Sequence, residues 1–218
     1  MKRHFSIFLF LFFSICTYAQ QPPFWNDIQA FKKQDSISMP QPGQIVFVGS
    51  SSFTKWQDVQ RYFPNYPIIN RGFGGSTLPD VIRYANDIIF PYKPKQVLIY
   101  CGENDFASSD SVTVEMVVNR FTKLYFMIRS KFKDASIVFV SIKPSPSRQH
   151  LWPKFKEANK IIENFLKKQK NTAFVNVYDK MLKPDGQAME DIFVEDRLHM
   201  NKKGYAIWQK EIEPILAK

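Results

Sequence analysis

Ile45-Val46-Phe47-Val48-Gly49-Ser50-Ser51-Ser52 is the stretch on which the fold turns. Four apolar residues, three of them β-branched, read as a short strand buried on both faces. Gly49 ends the run, and the serines stand where a helix can begin. A buried strand that hands over to a helix is the opening unit of a parallel sheet, because parallel strands need a crossover between them.

The same unit recurs downstream. Pro67 to Asn70, Gln96 to Cys101, Ser136 to Ile142 and Ala173 to Val177 all read as buried strands. Helical patterns lie between and after them. Lys55 to Tyr62 is short, and Leu78 to Phe90 is amphipathic with Ser76 or Thr77 placed to cap it. Val112 to Lys131 carries Val114, Val117, Val118, Phe121, Leu124, Tyr125 and Ile128 at helical spacing, and Trp152 to Lys168 carries a similar stripe. Asn201 to Ala217 closes the chain as a last helix. The expectation is an α/β fold: three layers, α/β/α, around a five-stranded parallel sheet in the flavodoxin-like order 2-1-3-4-5. Ligands of such sheets bind beyond the carboxyl ends of the strands. Ser51, Gly75, Asn104 and the loop from Lys143 to His150 all follow strand ends.

The amino terminus predicts export. Lys2 and Arg3 precede an almost unbroken apolar run from Phe5 to Ile15, and Thr17-Tyr18-Ala19 ends in a small residue suited to cleavage. The run falls short of the ~18–20 residues that span a bilayer, so no stable membrane span is expected after cleavage. Ile15 is too bulky to make Cys16 part of a lipoprotein signal. The organisation expected is therefore a signal peptide at 1–19, a polar lead-in at 20–43 and one domain at 44–218, exported to the periplasm or secreted. The lead-in contains Pro22, Pro23, Pro40 and Pro42, with one short helix around Trp25 to Lys33. Cys101 is then the one remaining cysteine, which excludes an intrachain disulfide; ending an apolar run, it reads as a buried strand residue.

The formal charge of the full chain is +10. Much of it comes from Lys154, Lys156, Lys160, Lys167, Lys168 and Lys170, which read as the solvated face of one helix. No zinc-finger pattern or RNA-binding aromatic motif accompanies them, so nucleic acid is not an expected partner.

Four short motifs carry chemistry. The serines after Gly49 lie at a helix start, where a developing anion is favoured; three in a row leave the nucleophile ambiguous. Gly72, Gly74 and Gly75 crowd one turn in Asn70-Arg71-Gly72-Phe73-Gly74-Gly75-Ser76, as a tight turn or a close backbone approach to substrate requires. Gly102-Glu103-Asn104-Asp105 puts a side-chain amide after the third strand, where Asn104 can donate to an oxyanion without titrating. Asp105 reads as a residue that caps and ties its loop, while Glu103 is left open, with the substrate as one possible partner. Asp196-Arg197-Leu198-His199 spaces a carboxylate three residues before an imidazole, so that the acid can orient the base. His150 is the competing base, with no carboxylate near it in sequence. The two histidines beyond residue 19, His150 and His199, and scattered acids make no zinc motif, and no metal or cofactor is expected. The nucleophile elbow Gly-x-Ser-x-Gly and the phosphate loop's Gly-Lys-Ser/Thr are both absent.

Taken together and in this order, the motifs resemble those of the SGNH hydrolases, or GDSL-type esterases, over nearly all of the chain after about Gln44. The resemblance implies Ser51 as nucleophile, two residues after the glycine; Asp196 and His199 complete its triad. It implies Gly75, with Gly74 as rival, as an oxyanion donor beside Ser51 N–H and Asn104. Ser50 stands where that family often has aspartate. Asn70 to Asp105 and Asp196 to Tyr205 most resemble the platelet-activating-factor acetylhydrolase-like branch, which favours short acyl groups. The expected activity is hydrolysis of short-chain carboxylic esters, with O-acetyl groups on glycans as a candidate substrate. The alternatives are a lipase or lysophospholipase with the same machinery, then a non-catalytic glycan-binding protein. A nucleic-acid binder ranks last.

Overall fold

The computed structural model describes residues 21–218, so the expected signal peptide lies outside the described residues. Five strands form one sheet in the order β2-β1-β3-β4-β5, every pair parallel. They are β1 (Ile45–Gly49), β2 (Ile68–Gly72), β3 (Gln96–Tyr100), β4 (Ser136–Val140) and β5 (Thr172–Val175). The α/β class, the strand number and the strand order are those expected. Every residue of β1 and β3 is buried, which is why Ile45–Val48 and Val97–Tyr100 read as unbroken apolar runs.

The helices are α1 (Trp25–Ile37), α2 (Ser51–Thr54), α3 (Val59–Tyr62), α4 (Leu78–Ile88), α5 (Glu103–Ser108), α6 (Val114–Lys131), α7 (Trp152–Leu166), α8 (Val177–Lys180) and α9 (Lys202–Ile212). α4 packs on α6 and α6 on α7. On the α6 side the core is marked by Phe121 against Phe139, 4.8 Å between ring centroids. On the other side Phe47 meets Phe53 at 4.8 Å, and Tyr100 meets Trp208 of α9 at 4.7 Å. β1 lies between β2 and β3, so the chain leaves β1 in one direction and resumes at β3 in the other. The crevice at this switch point opens beyond Gly49 and Tyr100, paired neighbours in the sheet.

Most element ends shift by one or two residues from the sequence reading, and three differ by more, each for an identifiable reason. The expected helix from Lys55 to Tyr62 shrinks to the single turn α3, and another single turn, α2, lies ahead of it and ends at Thr54. The Asn70 amide accounts for the break, because its Nδ2 donates to the carbonyls of Phe53 (2.7 Å) and Trp56 (3.4 Å) that a continuous helix would use. The last helix ends at Ile212, and a 3₁₀ turn over Glu213–Ile215 follows, since Pro214 has no N–H to continue the ladder. α1 runs to Ile37, past the expected end near Lys33. Its Asp35 reaches the buried Arg71, whose guanidinium also donates to Tyr92 Oη at 2.6 Å and lies 5.0 Å from the ring centre of Phe31. α1 further buries Ile28, and Phe24 meets Phe73 edge-on at 5.2 Å. Among the described residues no helix is long and apolar enough to cross a membrane.

Candidate active site

Gly49 sets the position of the serines. Its φ is +134°, and a Cβ there would fall 1.9 Å from the carbonyl oxygen of Tyr100 on β3, so only glycine fits. The chain turns at once into α2, with Ser50 as its cap residue and Ser51 as its first helical residue. Ser50 and Ser52 are buried, whereas Ser51 is partly exposed at the sheet's carboxyl end.

Ser51 Oγ lies 3.0 Å from His199 Nε2, and His199 Nδ1 lies 2.6 Å from Asp196 Oδ2. The three residues implied for the triad thus form one hydrogen-bonded chain. Asp196 Oδ1 also accepts from the backbone N–H groups of His199 (2.8 Å) and Leu198 (2.9 Å). Partial burial pushes the Asp196 carboxyl up, but these bonds and the His199 ring outweigh it and bring the group down to about 2. The carboxylate is therefore ionised at neutral pH, with its second oxygen aimed at the imidazole.

The loop around them is tight. Val194 N–H donates to the His199 carbonyl at 2.8 Å, and Arg197 N–H donates to Val194 O at 2.9 Å. Closing so short a turn puts Arg197 at φ 55°, in the left-handed region that L-residues other than glycine and asparagine seldom enter. After the loop, Asn201 caps α9 and the helix returns to the side of Ser51. Tyr205 Oη donates to Ser52 O at 2.9 Å, and the Tyr205 ring stacks on Trp56 at 4.8 Å.

Across the crevice, Gly75 sits at φ +85° with nothing nearer its missing Cβ than the Phe24 ring at 3.8 Å. The glycine is thus required by backbone conformation, not by a crowding neighbour. Asn104, in the first turn of α5, donates one amide hydrogen to Ser76 O at 3.1 Å, which holds it beside the Gly75–Ser76 turn. Its second Nδ2 hydrogen remains. Among the described residues the N–H groups of Ser51 and Gly75 have no acceptor. Asp105 ties this loop: Oδ2 accepts from Leu78 N–H at 2.9 Å, at the start of α4, and Oδ1 accepts from Arg120 at 2.8 Å.

The other sequence candidates stand apart from the Ser51–His199–Asp196 chain. His150 is exposed, in the turn Pro146–Leu151, with no carboxylate within ion-pair distance among the described residues. Cys101 is buried, and burial pushes its thiol well above the ordinary value, so it is a packing residue rather than a reactive one. Glu103 does not face the crevice; it is buried and turned inward. Among the described residues no cluster of three or more His, Cys, Asp or Glu side chains could hold a metal ion.

Sequence reasoning missed two parts of this architecture. One is the Tyr205 tie. The other is the partner of Glu103, which is Lys143 at 2.6 Å. A lysine directly after the apolar run from Ile137 to Ile142 was the available signal.

The GDSL-like Lipase/Acylhydrolase family model matches residues 35–207. The chain belongs to this family. It is accordingly a carboxylic ester hydrolase of the GDSL type, and the matched segment contains every residue of the crevice described above. No curated protein matches the chain. Among solved structures, a Streptococcus pneumonia protein provisionally assigned as a platelet activating factor superposes with a TM-score of 0.77 at 20% identity, covering 88% of this chain and 92% of its own. A GDSL-like lipase from Bacteroides thetaiotaomicron VPI-5482 gives 0.73 at 22% identity, covering 86% and 95%. A variant of an acetyl-xylooligosaccharide esterase from Geobacillus Stearmophilus gives 0.61 at 15% identity, covering 82% and 97%. These likenesses are of fold.

Proposed function

We propose that this GDSL-type hydrolase is an exported serine esterase that removes short acyl groups, with O-acetyl groups on glycans as its substrate class. The observation that carries the reading is the unbroken chain from Ser51 Oγ through His199 to Asp196 at the carboxyl end of the sheet. Ser51 Oγ attacks the ester carbonyl while His199 Nε2 takes its proton, and the carbonyl electrons move onto oxygen. Ser51 N–H, Gly75 N–H and the second Asn104 amide hydrogen receive that oxyanion. The tetrahedral species collapses, the C–O bond breaks, and His199 returns the proton to the leaving alcohol. Water then attacks the acyl-enzyme by the same route and frees the acid and Ser51. Asp196, ionised well below neutral pH, holds the imidazole in the reactive tautomer.

The substrate class draws its support from the acetyl-xylooligosaccharide esterase among the fold neighbours. The GDSL-like lipase among them favours a second reading, in which the acyl chain is long. One experiment separates the two: kcat/KM of the purified protein on aryl esters of two to sixteen carbons, together with acetylated glycans. Rates that peak at two to four carbons, with acetate released from the glycans, support the first reading. A peak at eight carbons or more overturns it in favour of the lipase. Export rests on residues 1–19; intact-mass analysis of protein recovered from outside the cytoplasm is expected to find a chain beginning at or near Gln20, and retention of residues 1–19 would contradict it.

A further inference from the structure

Behind the crevice lies a buried polar cluster that the reaction above does not use. Glu103 is 3% exposed and Lys143 1%. Glu103 Oε2 accepts from Lys143 Nζ at 2.6 Å and from Tyr100 Oη at 2.6 Å; Lys143 Nζ also donates to Tyr100 Oη at 3.3 Å. Glu103 Oε1 accepts from Ser145 Oγ at 2.5 Å, with Arg148 at 3.5 Å. Both carboxylate oxygens are therefore engaged from three sides. Burial pushes the Glu103 carboxyl up, but the Lys143 and Arg148 charges outweigh it and hold it below its usual value. The group stays ionised.

An ion pair buried this deeply is a poor source of stability, because desolvating two charges offsets most of their attraction. Its location indicates another role. Glu103 and Asn104 are consecutive in the first turn of α5, with Glu103 pointing inward and Asn104 reaching across to Ser76 O. The far end of the cluster is the segment from Lys143 to Arg148. That segment is fixed in turn: Trp152 Nε1 donates to Ser145 O at 3.0 Å, and Ser147 N–H donates to the Arg197 carbonyl at 3.1 Å, inside the Asp196–His199 loop. A single carboxylate thus joins the strand-end turn that carries Asn104 to the segment that braces the histidine loop.

We propose that Glu103 is a positioning residue which, through Lys143, Tyr100 and Ser145, sets Asn104 against the oxyanion. It touches no reacting atom. A first turn of α5 held from behind cannot rotate when charge develops on the substrate oxygen, and a donor displaced by a fraction of an ångström loses much of its effect. The proposal rests on the esterase reading of the crevice.

The test is a double-mutant cycle on purified, folded protein. Glu103→Met with Lys143→Met replaces the pair by apolar groups of similar volume, a change that buried ion pairs often tolerate without loss of fold. Ser145→Ala is the milder companion and leaves the ion pair in place. Aryl acetate turnover and urea denaturation are measured for each, with and without Asn104→Ala. The expected result is a kcat lower by ~10–100-fold in the double methionine variant, with KM within about twofold, as for a misplaced donor rather than a lost binding contact. Ser145→Ala is expected to fall between it and wild type. Added to Asn104→Ala, the methionine pair is expected to lower kcat by less than about threefold further, because residues that act through one another are not additive. Wild-type kcat in the folded methionine variant overturns the proposal. So does a full, additive loss on top of a slow Asn104→Ala enzyme, which would leave the esterase reading intact. Wild-type kcat in Asn104→Ala alone removes the oxyanion reading, and this proposal with it.

Discussion

Tyr205 Oη donates a hydrogen bond to the carbonyl of Ser52, 2.9 Å away and 153 residues earlier in the chain. The bond ties the helix that follows His199 to the single turn that carries Ser51. Trp56 and Trp208 surround it with apolar surface, so both partners are shielded from water.

Tyr205→Phe removes the donor and leaves Ser52 O buried and unpaired. A stability loss of about 1–2 kcal/mol is expected, from the usual penalty for a buried acceptor left without a partner. Since α2 then loses its tie to α9 and keeps only the Asn70 bond to Phe53 O and its packing, kcat is expected to fall by a few-fold with KM unchanged. Urea denaturation and steady-state kinetics check both.

Ser51→Ala is expected to lower kcat by at least ~10³-fold, the scale of triad deletions. Ser50→Ala and Ser52→Ala remove hydroxyls that face inward and should retain most activity. Combining Ser51→Ala with His199→Ala should add little, because the triad acts as a unit. His150→Ala, changing an exposed side chain, is expected to leave kcat near wild type. Loss of turnover in His150→Ala with activity kept in His199→Ala would show that the base is misassigned.

Asn104→Ala is expected to lower kcat by ~10²–10³, about 3–4 kcal/mol, with little change in KM, as for other oxyanion donors. A raised KM at unchanged kcat would instead make Asn104 a ground-state binding residue.

Asp196 gives a pH prediction with a definite sign. Its carboxyl is lowered on folding to about 2. Its contribution to stability is therefore fully present above the unfolded value of about 4 and is lost as pH falls through about 2. Asp196→Asn should be less stable than wild type at pH 5, and the gap should shrink below pH 4 and close as pH falls below about 2. With the side chain 46% exposed, solvent screening keeps that gap small. The effect on kcat is expected to be orders of magnitude at neutral pH, through loss of the correct imidazole tautomer. A stability gap that widens on acidification would contradict the assignment.

Arg197 occupies the left-handed region at φ 55°. Arg197→Gly removes that strain and gives up only an exposed ion pair with Glu190, so stability is expected to change by less than about 1 kcal/mol. Arg197→Val puts a β-branched side chain into the same conformation and is expected to cost about 1–2 kcal/mol. It should also lower kcat, because Asp196 must shift to relieve the clash. Equal stability for the two variants would mean that the loop relaxes without strain.

The sheet was legible because burial on both faces leaves an unmistakable mark: Ile45–Val48 and Val97–Tyr100 hold no compromise between core and solvent. The crevice residues were legible for a different reason. Ser51, Asn104, Asp196 and His199 all follow strand ends or sit in one short loop, so local sequence already places them. Contacts across the fold left little local trace, the lysine at the end of the β4 run apart. Nothing within ten residues of Glu103 announces Lys143, and nothing around Asp35 announces Arg71, since each pair is joined only when the sheet assembles. The break between α2 and α3 was hidden for the same cause: the amide that interrupts it belongs to β2.

The Arg71 arrangement bears on how this protein can be cut. The family match opens at residue 35, inside α1, and leaves out Phe24, Ile28 and Phe31. A gene trimmed to that boundary would strip the aromatic ring from one side of the guanidinium and unwind the turn that presents Asp35, stranding a cation in the interior. The same excision would bare Phe73, two residues before Gly75. The polar lead-in is therefore part of the enzyme's folded body, and its removal would disturb the crevice from the outside, several side chains away from any group that meets the ester.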